Sequence, residues 1–221
     1  MKILVIAPHM DDEVLGCGGT IVRHVERGDH VSVCIVADRA YNHQYDPVFI
    51  ERERQNCREA QGVLRYQRLT FLGLPDERLD AALADVIAPL EQATADCVPD
   101  VVYIPHRGDL NQDHRAVFEA ARVVCRPYGP CRPRTVRVFE VPSSTDQSGG
   151  VNGWPFEPHY YVDISTCLQR KLQAMACYKA EGRAFPNPRS SEGIEVLAKK
   201  RGGETGMHAA EAFMTVRDGW W

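Results

Sequence analysis

The chain has 221 residues, of which 44% are hydrophobic and 25% are charged, and its formal net charge at pH 7 is −4. This length suffices for one well-formed core and the composition argues against a disordered or fibrous protein, so a single domain over residues 1–221 is expected. The 26 basic and 30 acidic residues are mixed along the chain, which argues against a nucleic-acid partner.

The first predicted element is a short strand at residues 3–7. The opening MKILVIAP has an apolar run too short for a secretory signal, and it leads directly into a charged motif. No window approaches the roughly 18–20 uninterrupted apolar residues of a transmembrane helix. We therefore expect a cytoplasmic protein without a membrane span.

Strands and helices alternate along the first two thirds of the chain. Strands are predicted at residues 3–7, 30–37, 68–72, 101–104 and 135–141. Helices are predicted at residues 14–27, 47–64, 79–95 and 112–125. This alternation favours right-handed crossovers and a mostly parallel sheet covered on both faces. The predicted fold is α/β, Rossmann-like and three-layered, with the active site at the carboxyl ends of the strands.

The pattern changes after Pro142. Residues 143–158 are rich in Ser, Gly, Asn and Pro, which predicts a loop that overhangs the active site. Three further elements are predicted: a strand at residues 160–164, a helix capped by Ser165 and reaching about Lys179, and a helix from Ser190 or Ser191 to about Gly202–Gly203. For Trp220–Trp221 two interpretations stay open, a subunit contact in a homo-oligomer or packing onto the core.

Two sets of small residues allow more than one interpretation. Eight scattered cysteines without a CxxC pair are predicted to be free thiols, and a Cys125–Cys131 disulfide is the less favoured alternative. The GCGGT segment at residues 16–20 follows a strand and opens a helix, as nucleotide-binding loops do. Its spacing is not GxGxxG, so we favour glycines that let a helix pack closely.

Two polar clusters follow two of the predicted strands. PHMDDEVLGCGG, at residues 8–19, follows the first strand, and PHRGDLNQDHRAV, at residues 105–117, follows the fourth. Because parallel strands end at the same edge of a sheet, the side chains of His9, Asp12 and His114 can converge there. Two imidazoles and a carboxylate form an open three-ligand zinc site, and the same set also suits ferrous iron.

These clusters resemble the motifs of a known family. PHMDDE is similar to the first motif of the PIG-L/LmbE family of zinc-dependent de-N-acetylases, usually AHPDDE, and NQDH resembles its second motif, commonly HPDH. YVDIS at residues 161–165, PNPRS at 186–190 and AEAF at 210–213 resemble later segments of the family. The resemblance implies hydrolysis of an N-acetyl group on an amino sugar or an N-acetylglucosamine conjugate, which releases acetate and a free amine.

The resemblance also implies roles for individual residues. His9, Asp12 and His114 would bind the metal, and Asp11 would be the general base. Asp113, directly before a metal ligand, is expected to orient an imidazole. A helix cap or an acid in the first helical turn is an equally favoured role for Asp113.

The chain departs from the family motifs at two positions. Met10 replaces the usual proline, which shapes the loop and offers no ligand. Asn111 replaces a histidine that many members have, and an amide can donate a hydrogen bond to an oxyanion but cannot deliver a proton. Asp11 is therefore expected to act as both base and acid.

Substrate-binding residues are predicted at the borders of the same cleft. Arg39 follows the second strand, Arg107 follows the fourth, and Arg189 lies in PNPRS, so each could bind a phosphate or carboxylate. Trp154 could stack on a sugar ring. The alternatives are surface charges for the arginines and an anchor for the loop in the case of the tryptophan.

Two other functions are weighed against deacetylation. An amidase acting on a non-sugar or thiol-conjugate amide could use the same site. A metal-stabilised binding protein without turnover is disfavoured, because a closed structural zinc site normally has four protein ligands and needs no spare carboxylate.

Overall fold

The computed structural model describes residues 1–40, 43–129, 131–150 and 153–219. The interpretations of Trp220–Trp221 fall outside these residues. The strands are β1 (Lys2–Ala7), β2 (His30–Asp38), β3 (Arg68–Pro75), β4 (Val101–Ile104), β5 (Thr135–Phe139), β6 (Tyr160–Asp163) and β7 (Ala210–Asp218). The α-helices are α1 (Asp12–Glu26), α2 (Pro47–Leu64), α3 (Leu83–Cys97), α4 (Gln112–Val124), α5 (Leu168–Met175) and α6 (Ser191–Gly203).

The strands form one sheet in the order β3-β2-β1-β4-β5-β7-β6. The first five strands in this order are parallel, whereas β7 runs antiparallel to both β5 and β6. The prediction of a mostly parallel α/β fold is confirmed. The strand order reverses between β1 and β4, and open α/β sheets bind ligands at the carboxyl ends of strands next to such a reversal.

Alternate residues of the central strands enter two separate cores. Ile3, Val5 and Ala7 of β1 face a core that also contains residues of α1, α2, α5 and α6. Leu4 and Ile6 face the other core, which α3 and α4 cover. A sheet buried on both faces needs apolar residues at every position, and β1 has them from Ile3 to Ala7.

Glycines of α1 allow this helix to approach the rest of the core closely. A Cβ atom at Gly16 would lie 2.3 Å from the Phe139 ring, and one at Gly19 would lie 2.5 Å from Ile164. Glycines in GCGGT are therefore needed because larger residues at these positions would overlap their neighbours in the core. All eight cysteines are free thiols, as predicted.

Two elements near the carboxyl end differ from the predictions. Strand β7 was not predicted, although its AEAF segment was noted. Helix α5 begins at Leu168 and ends at Met175, so the prediction that Ser165 caps a helix reaching Lys179 was wrong. Ser165 instead donates a hydrogen bond to Asp163, 2.5 Å between the oxygens, and so closes a turn before the helix. Within the described residues, the helices lack the length and apolarity of a membrane span.

Candidate functional site

The turns after β1 and β4 lie side by side, because these strands are neighbours that pair Ile3 with Val101 and Val5 with Tyr103. The β1 turn leads directly into α1, and the longer β4 turn leads into α4. The two polar clusters therefore meet at the carboxyl edge of the sheet.

Three donor atoms of these clusters converge. His9 Nδ1 lies 3.3 Å from His114 Nε2 and 3.3 Å from Asp12 Oδ2, and His114 Nε2 lies 3.2 Å from Asp12 Oδ2. Ligand atoms about 2.0–2.2 Å from a tetrahedral zinc ion stand roughly 3.3–3.5 Å apart. The triangle therefore fits a metal of this size, and the other carboxylate oxygen of Asp12 is buried without a partner among the described residues.

The second ring nitrogen of His9 is held by two carboxylates. Its Nε2 lies 2.9 Å from Asp76 Oδ1 and 3.3 Å from Asp113 Oδ2. Asp113 also accepts hydrogen bonds from the backbone N–H groups of Glu77 and Leu79. A carboxylate behind a ligating imidazole fixes the tautomer and orientation of the ring. Asp113 thus lies behind a His9 ring nitrogen and also in the first turn of α4.

His114 has a corresponding neighbour in Asp109, which is fully buried. Asp109 Oδ2 lies 3.3 Å from His114 Nδ1 and accepts hydrogen bonds from the hydroxyls of Ser144 (2.9 Å) and Thr145 (2.6 Å). Sequence reasoning missed both Asp109 and Asp76. Asp76 directly follows β3 and Asp109 lies in the loop between β4 and α4, so their position at the same edge of the sheet was the signal that could have indicated them.

The carboxylates change the basicity of both histidines. Burial lowers the pKa of His9, but hydrogen bonds with Asp113, Asp12 and Asp76 outweigh it and raise this pKa well above the usual value. For His114, burial is likewise outweighed by the neighbouring carboxylates of Asp12 and Asp109, so that its pKa is raised to about 9. The site thus favours positive charge between the two imidazole rings. A divalent cation supplies this charge when it displaces the protons of the imidazoles.

The Asp11 side chain contacts two arginines. Its Oδ2 accepts hydrogen bonds from Arg189 Nη1 (2.9 Å) and Arg39 Nη1 (3.4 Å), and its Oδ1 is buried without a partner among the described residues. Burial raises the pKa of Asp11, although the charges of Arg189 and Arg39 oppose this increase. Asp11 is thus a buried carboxylate next to Asp12 in the chain, and one of its oxygens has no hydrogen-bond partner among the described residues.

Glu181 is a further member of this charged group that sequence reasoning missed. It lies 3.2 Å from Arg39 Nη1 and 3.4 Å from Arg189 Nη1, so each arginine is shared between Glu181 and Asp11. Arg189 Nε also donates to Ser143 Oγ at 2.7 Å. Glu181 lies in a short 3₁₀ turn with no motif, so only the tertiary contact reveals it.

Glu13 supports the backbone of Asp11. Its carboxylate accepts the Asp11 N–H at 3.1 Å and the hydroxyl of Tyr178. Burial raises the pKa of Glu13 to about 7. Asp11 has φ 115°, a conformation that residues other than glycine rarely adopt, and the hydrogen bond from its N–H helps to hold it.

The remaining predicted residues, Asn111, Arg107 and Trp154, make no hydrogen bond or ion pair with Asp11 among the described contacts. Asn111 is the N-cap of α4, where its Oδ1 accepts the Asp113 N–H at 2.8 Å. The Arg107 guanidinium stacks 4.0 Å from the centre of the half-exposed Trp154 ring and pairs with Glu119. The structure thus brings Arg39 and Arg189 to Asp11, whereas Arg107 and Trp154 contact each other.

Residues 4–125 match the family model described as PIG-L, GlcNAc-PI de-N-acetylase. The chain is 33% identical over 129 residues to "Uncharacterized deacetylase YaiS" of Escherichia coli (strain K12), a match that covers 56% of this chain and 68% of the relative. It is 31% identical over 193 residues to "Probable N-acetyl-alpha-D-glucosaminyl L-malate deacetylase 2" of Bacillus subtilis (strain 168), covering 81% of this chain and 82% of the relative.

The fold is also similar to that of a solved structure, the conserved protein TT1542 from Thermus thermophilus. The TM-score is 0.79 at 24% sequence identity, and the match covers 100% of this chain and 97% of the other. Likeness at this level of identity shows a shared fold.

Proposed function

The chain belongs to the PIG-L family of de-N-acetylases, and from this premise we propose that it hydrolyses the N-acetyl group of an amino sugar or of a conjugate containing N-acetylglucosamine. The products would be acetate and a free amine. The observation that carries the proposal is the convergence of His9, Asp12 and His114 beside a buried carboxylate, Asp11, that lies outside the triangle.

We assign His9, Asp12 and His114 as the ligands of a zinc ion, with ferrous iron as the alternative. When bound, such a cation would activate water for attack and polarise the carbonyl of the acetamide. Two observations support the assignment: the donor atoms are spaced as zinc ligands are, and Asp12 retains an unpartnered buried oxygen.

Asp11 is proposed as the general base. Arg39 and Arg189 both bind its Oδ2, which leaves Oδ1 as the atom that would accept a proton from the attacking water. Because burial raises its pKa, Asp11 is a stronger base than an exposed aspartate. The same carboxyl group would then protonate the departing amine, since Asn111 cannot deliver a proton.

Three carboxylates are proposed to orient the ligands. Asp76 and Asp113 hold Nε2 of His9, and Asp109 lies behind Nδ1 of His114. In each ring the other nitrogen faces the triangle. Asn111 is proposed to donate a hydrogen bond from its side-chain N–H group to the developing oxyanion. The helix cap uses the Oδ1 atom of this side chain and not its nitrogen.

The substrate class is inferred from the family and from the name of the B. subtilis relative, an N-acetylglucosaminyl malate deacetylase. Arg39 and Arg189 are proposed to contact the substrate, because they already border Asp11. Arg107 and Trp154 are proposed to contact a more distant part of it.

The first experiment measures primary-amine release by the zinc-loaded protein across a panel of N-acetylglucosamine derivatives. Asp11→Asn is expected to lower kcat/KM by about 10²–10⁴-fold, the contribution typical of a general base. Its zinc content, measured by atomic absorption, is expected to match that of the wild type. The exposed Asp80→Asn variant serves as the matched control.

Two outcomes would count against the proposal. Equal rates for the wild type and Asp11→Asn would remove Asp11 from the base role. Release from a thiol-conjugate or other non-sugar amide, with none from any amino sugar, would favour the amidase alternative.

A further inference from the structure

A cavity of about 300 Å³ lies beside the proposed active site, between the end of α5 and the start of α6. Its walls come from residues 172–183, Arg189 and Ser191. Ligand pockets in proteins begin at about 300 Å³, so this cavity has room for a group larger than acetate.

The cavity shares two of its lining residues with the charged group around Asp11. Arg189 lines it and also donates to Asp11 Oδ2 at 2.9 Å, while Glu181 lines it and contacts both Arg189 and Arg39. Arg189 and Glu181 therefore form a boundary that the cavity has in common with the Asp11 carboxylate.

Positive charge exceeds negative charge in the cavity wall. Lys179, Arg183 and Arg189 line it, and Glu181 is the one acid among its lining residues. Arg183 donates to the backbone oxygen of Ala180 at 3.2 Å. In the described part of the chain, neither Lys179 nor Arg183 has a carboxylate partner within salt-bridge distance, so both retain donors for an anion.

The part of the wall that comes from α5 is apolar. Leu172, Met175 and Ala176 come from the last turn of α5 and its end. A ligand that fits this surface has an apolar part that contacts α5 and a charged group that faces Lys179 and Arg183.

We propose that this cavity is a subsite for a carboxylate or phosphate carried by the aglycone of the N-acetyl sugar. Lys179 and Arg183 bind the anion, with Arg183 suited to bidentate contact and Lys179 acting as a point charge. The inference rests on the proposed function, because the cavity holds one end of the same substrate. It specifies an anionic conjugate in preference to a neutral sugar.

The test compares matched glycosides of N-acetylglucosamine: the neutral methyl glycoside, the carboxymethyl glycoside and the 1-phosphate. The readout is the ratio of kcat/KM for each anionic compound to kcat/KM for the methyl glycoside. In the wild type this ratio is expected to be about ten or more, as for one charge-assisted contact, and to fall about tenfold in the double variant Lys179→Gln/Arg183→Gln. Lys199→Gln, at an exposed position of α6, is the control and keeps the wild-type ratio.

The outcomes separate this inference from the proposed function. A ratio near one in the wild type, or one that the double variant does not change, overturns the anion subsite while cleavage of the methyl glycoside leaves the deacetylase proposal standing. Cleavage of none of the three compounds overturns the deacetylase proposal and the subsite with it. A larger fall for the carboxymethyl glycoside or for the 1-phosphate identifies which anion the subsite prefers.

Discussion

Asp11 and Asp12 are adjacent in the chain but face different groups. Asp12 lies between His9 and His114, whereas Asp11 contacts two arginines. The turn that separates them places Asp11 at φ 115° and ψ −30°. Backbone conformations of this kind cost about 1–3 kcal/mol and occur mainly at functional sites. The strained residue thus turns the two adjacent carboxylates toward different groups, as the proposed roles of ligand and base require.

Asp109 provides a test of the orienting carboxylates at the residue scale. Asp109→Asn is expected to lower zinc affinity by about 10–100-fold, because the charged partner behind His114 is lost. Competition with a chromophoric chelator measures this affinity. Asp146→Asn, at an exposed position of the neighbouring 3₁₀ turn, is the control. Wild-type affinity in Asp109→Asn would show that His114 needs no carboxylate behind it.

At the scale of elements, the side chain of Asn111 caps the amino end of α4. Asn111→Ala is expected to lower the free energy of unfolding by about 1 kcal/mol, whereas Asn111→Ser retains a capping oxygen and stays near the wild type. Urea unfolding measures both values.

The same pair of variants separates capping from catalysis. Both lack the side-chain amide, so both are expected to lower kcat by about 10²–10³-fold if Asn111 stabilises the oxyanion. A serine variant with wild-type kcat would contradict the oxyanion role and leave the cap intact.

Helix α5 and strand β7 are joined to α1 by a buried ion pair. Lys171 Nζ lies 2.6 Å from Glu211 Oε1 and donates to the Leu15 backbone oxygen, and Glu211 accepts the N–H groups of Gly19 and Thr20. The pair thus connects three elements that are distant in the chain.

Removing one partner of this pair leaves an uncompensated buried charge. Lys171→Met is therefore expected to lower the free energy of unfolding by about 3–5 kcal/mol. Urea unfolding provides the value, and the exposed Lys199→Met is expected to change it by less than about 0.5 kcal/mol. A loss below about 1 kcal/mol in Lys171→Met would indicate that water reaches Glu211.

At the scale of the whole molecule, the stability of the fold should depend on pH through His24. This side chain joins the end of α1 to the start of β2 and to β4, through Asp29 at 2.7 Å and the Tyr103 hydroxyl at 3.0 Å. Burial lowers the pKa of His24 below 6.5, although Asp29 opposes the shift. The unfolded chain therefore binds this proton more readily than the folded chain.

The contribution of His24 to stability is complete above its unfolded pKa and declines as pH falls toward its folded pKa. When the pH falls from about 7 to about 5.5, the free energy of unfolding is expected to decrease less in His24→Gln than in the wild type. The difference is about 1.4 kcal/mol for each unit by which folding lowers the pKa of His24. Urea unfolding at both pH values measures the difference. An equal loss in both proteins would assign the pH dependence to other groups, and exposed His30→Gln is the control.

The sheet was largely predictable from apolar runs and their spacing. Four of the five parallel strands begin at the predicted residue and the first begins one residue earlier, because these strands are largely apolar segments between polar or turn-forming residues. Strand β7 was not predictable in this way. Its Glu211 is buried only because Lys171 neutralises it, and no local pattern reveals that partner.

By itself, the sequence determined the α/β alternation, the two polar clusters and the donor set of His9, Asp12 and His114, since these are properties of contiguous segments at strand ends. Only the tertiary structure decided that Asp76, Asp109 and Glu181 join the site, and that Arg107 contacts Trp154 away from Asp11. The physical reason is that a lone acid or arginine in a loop has the same local pattern whether it is solvated or buried against a charge. Which of these it becomes depends on residues that only folding brings near.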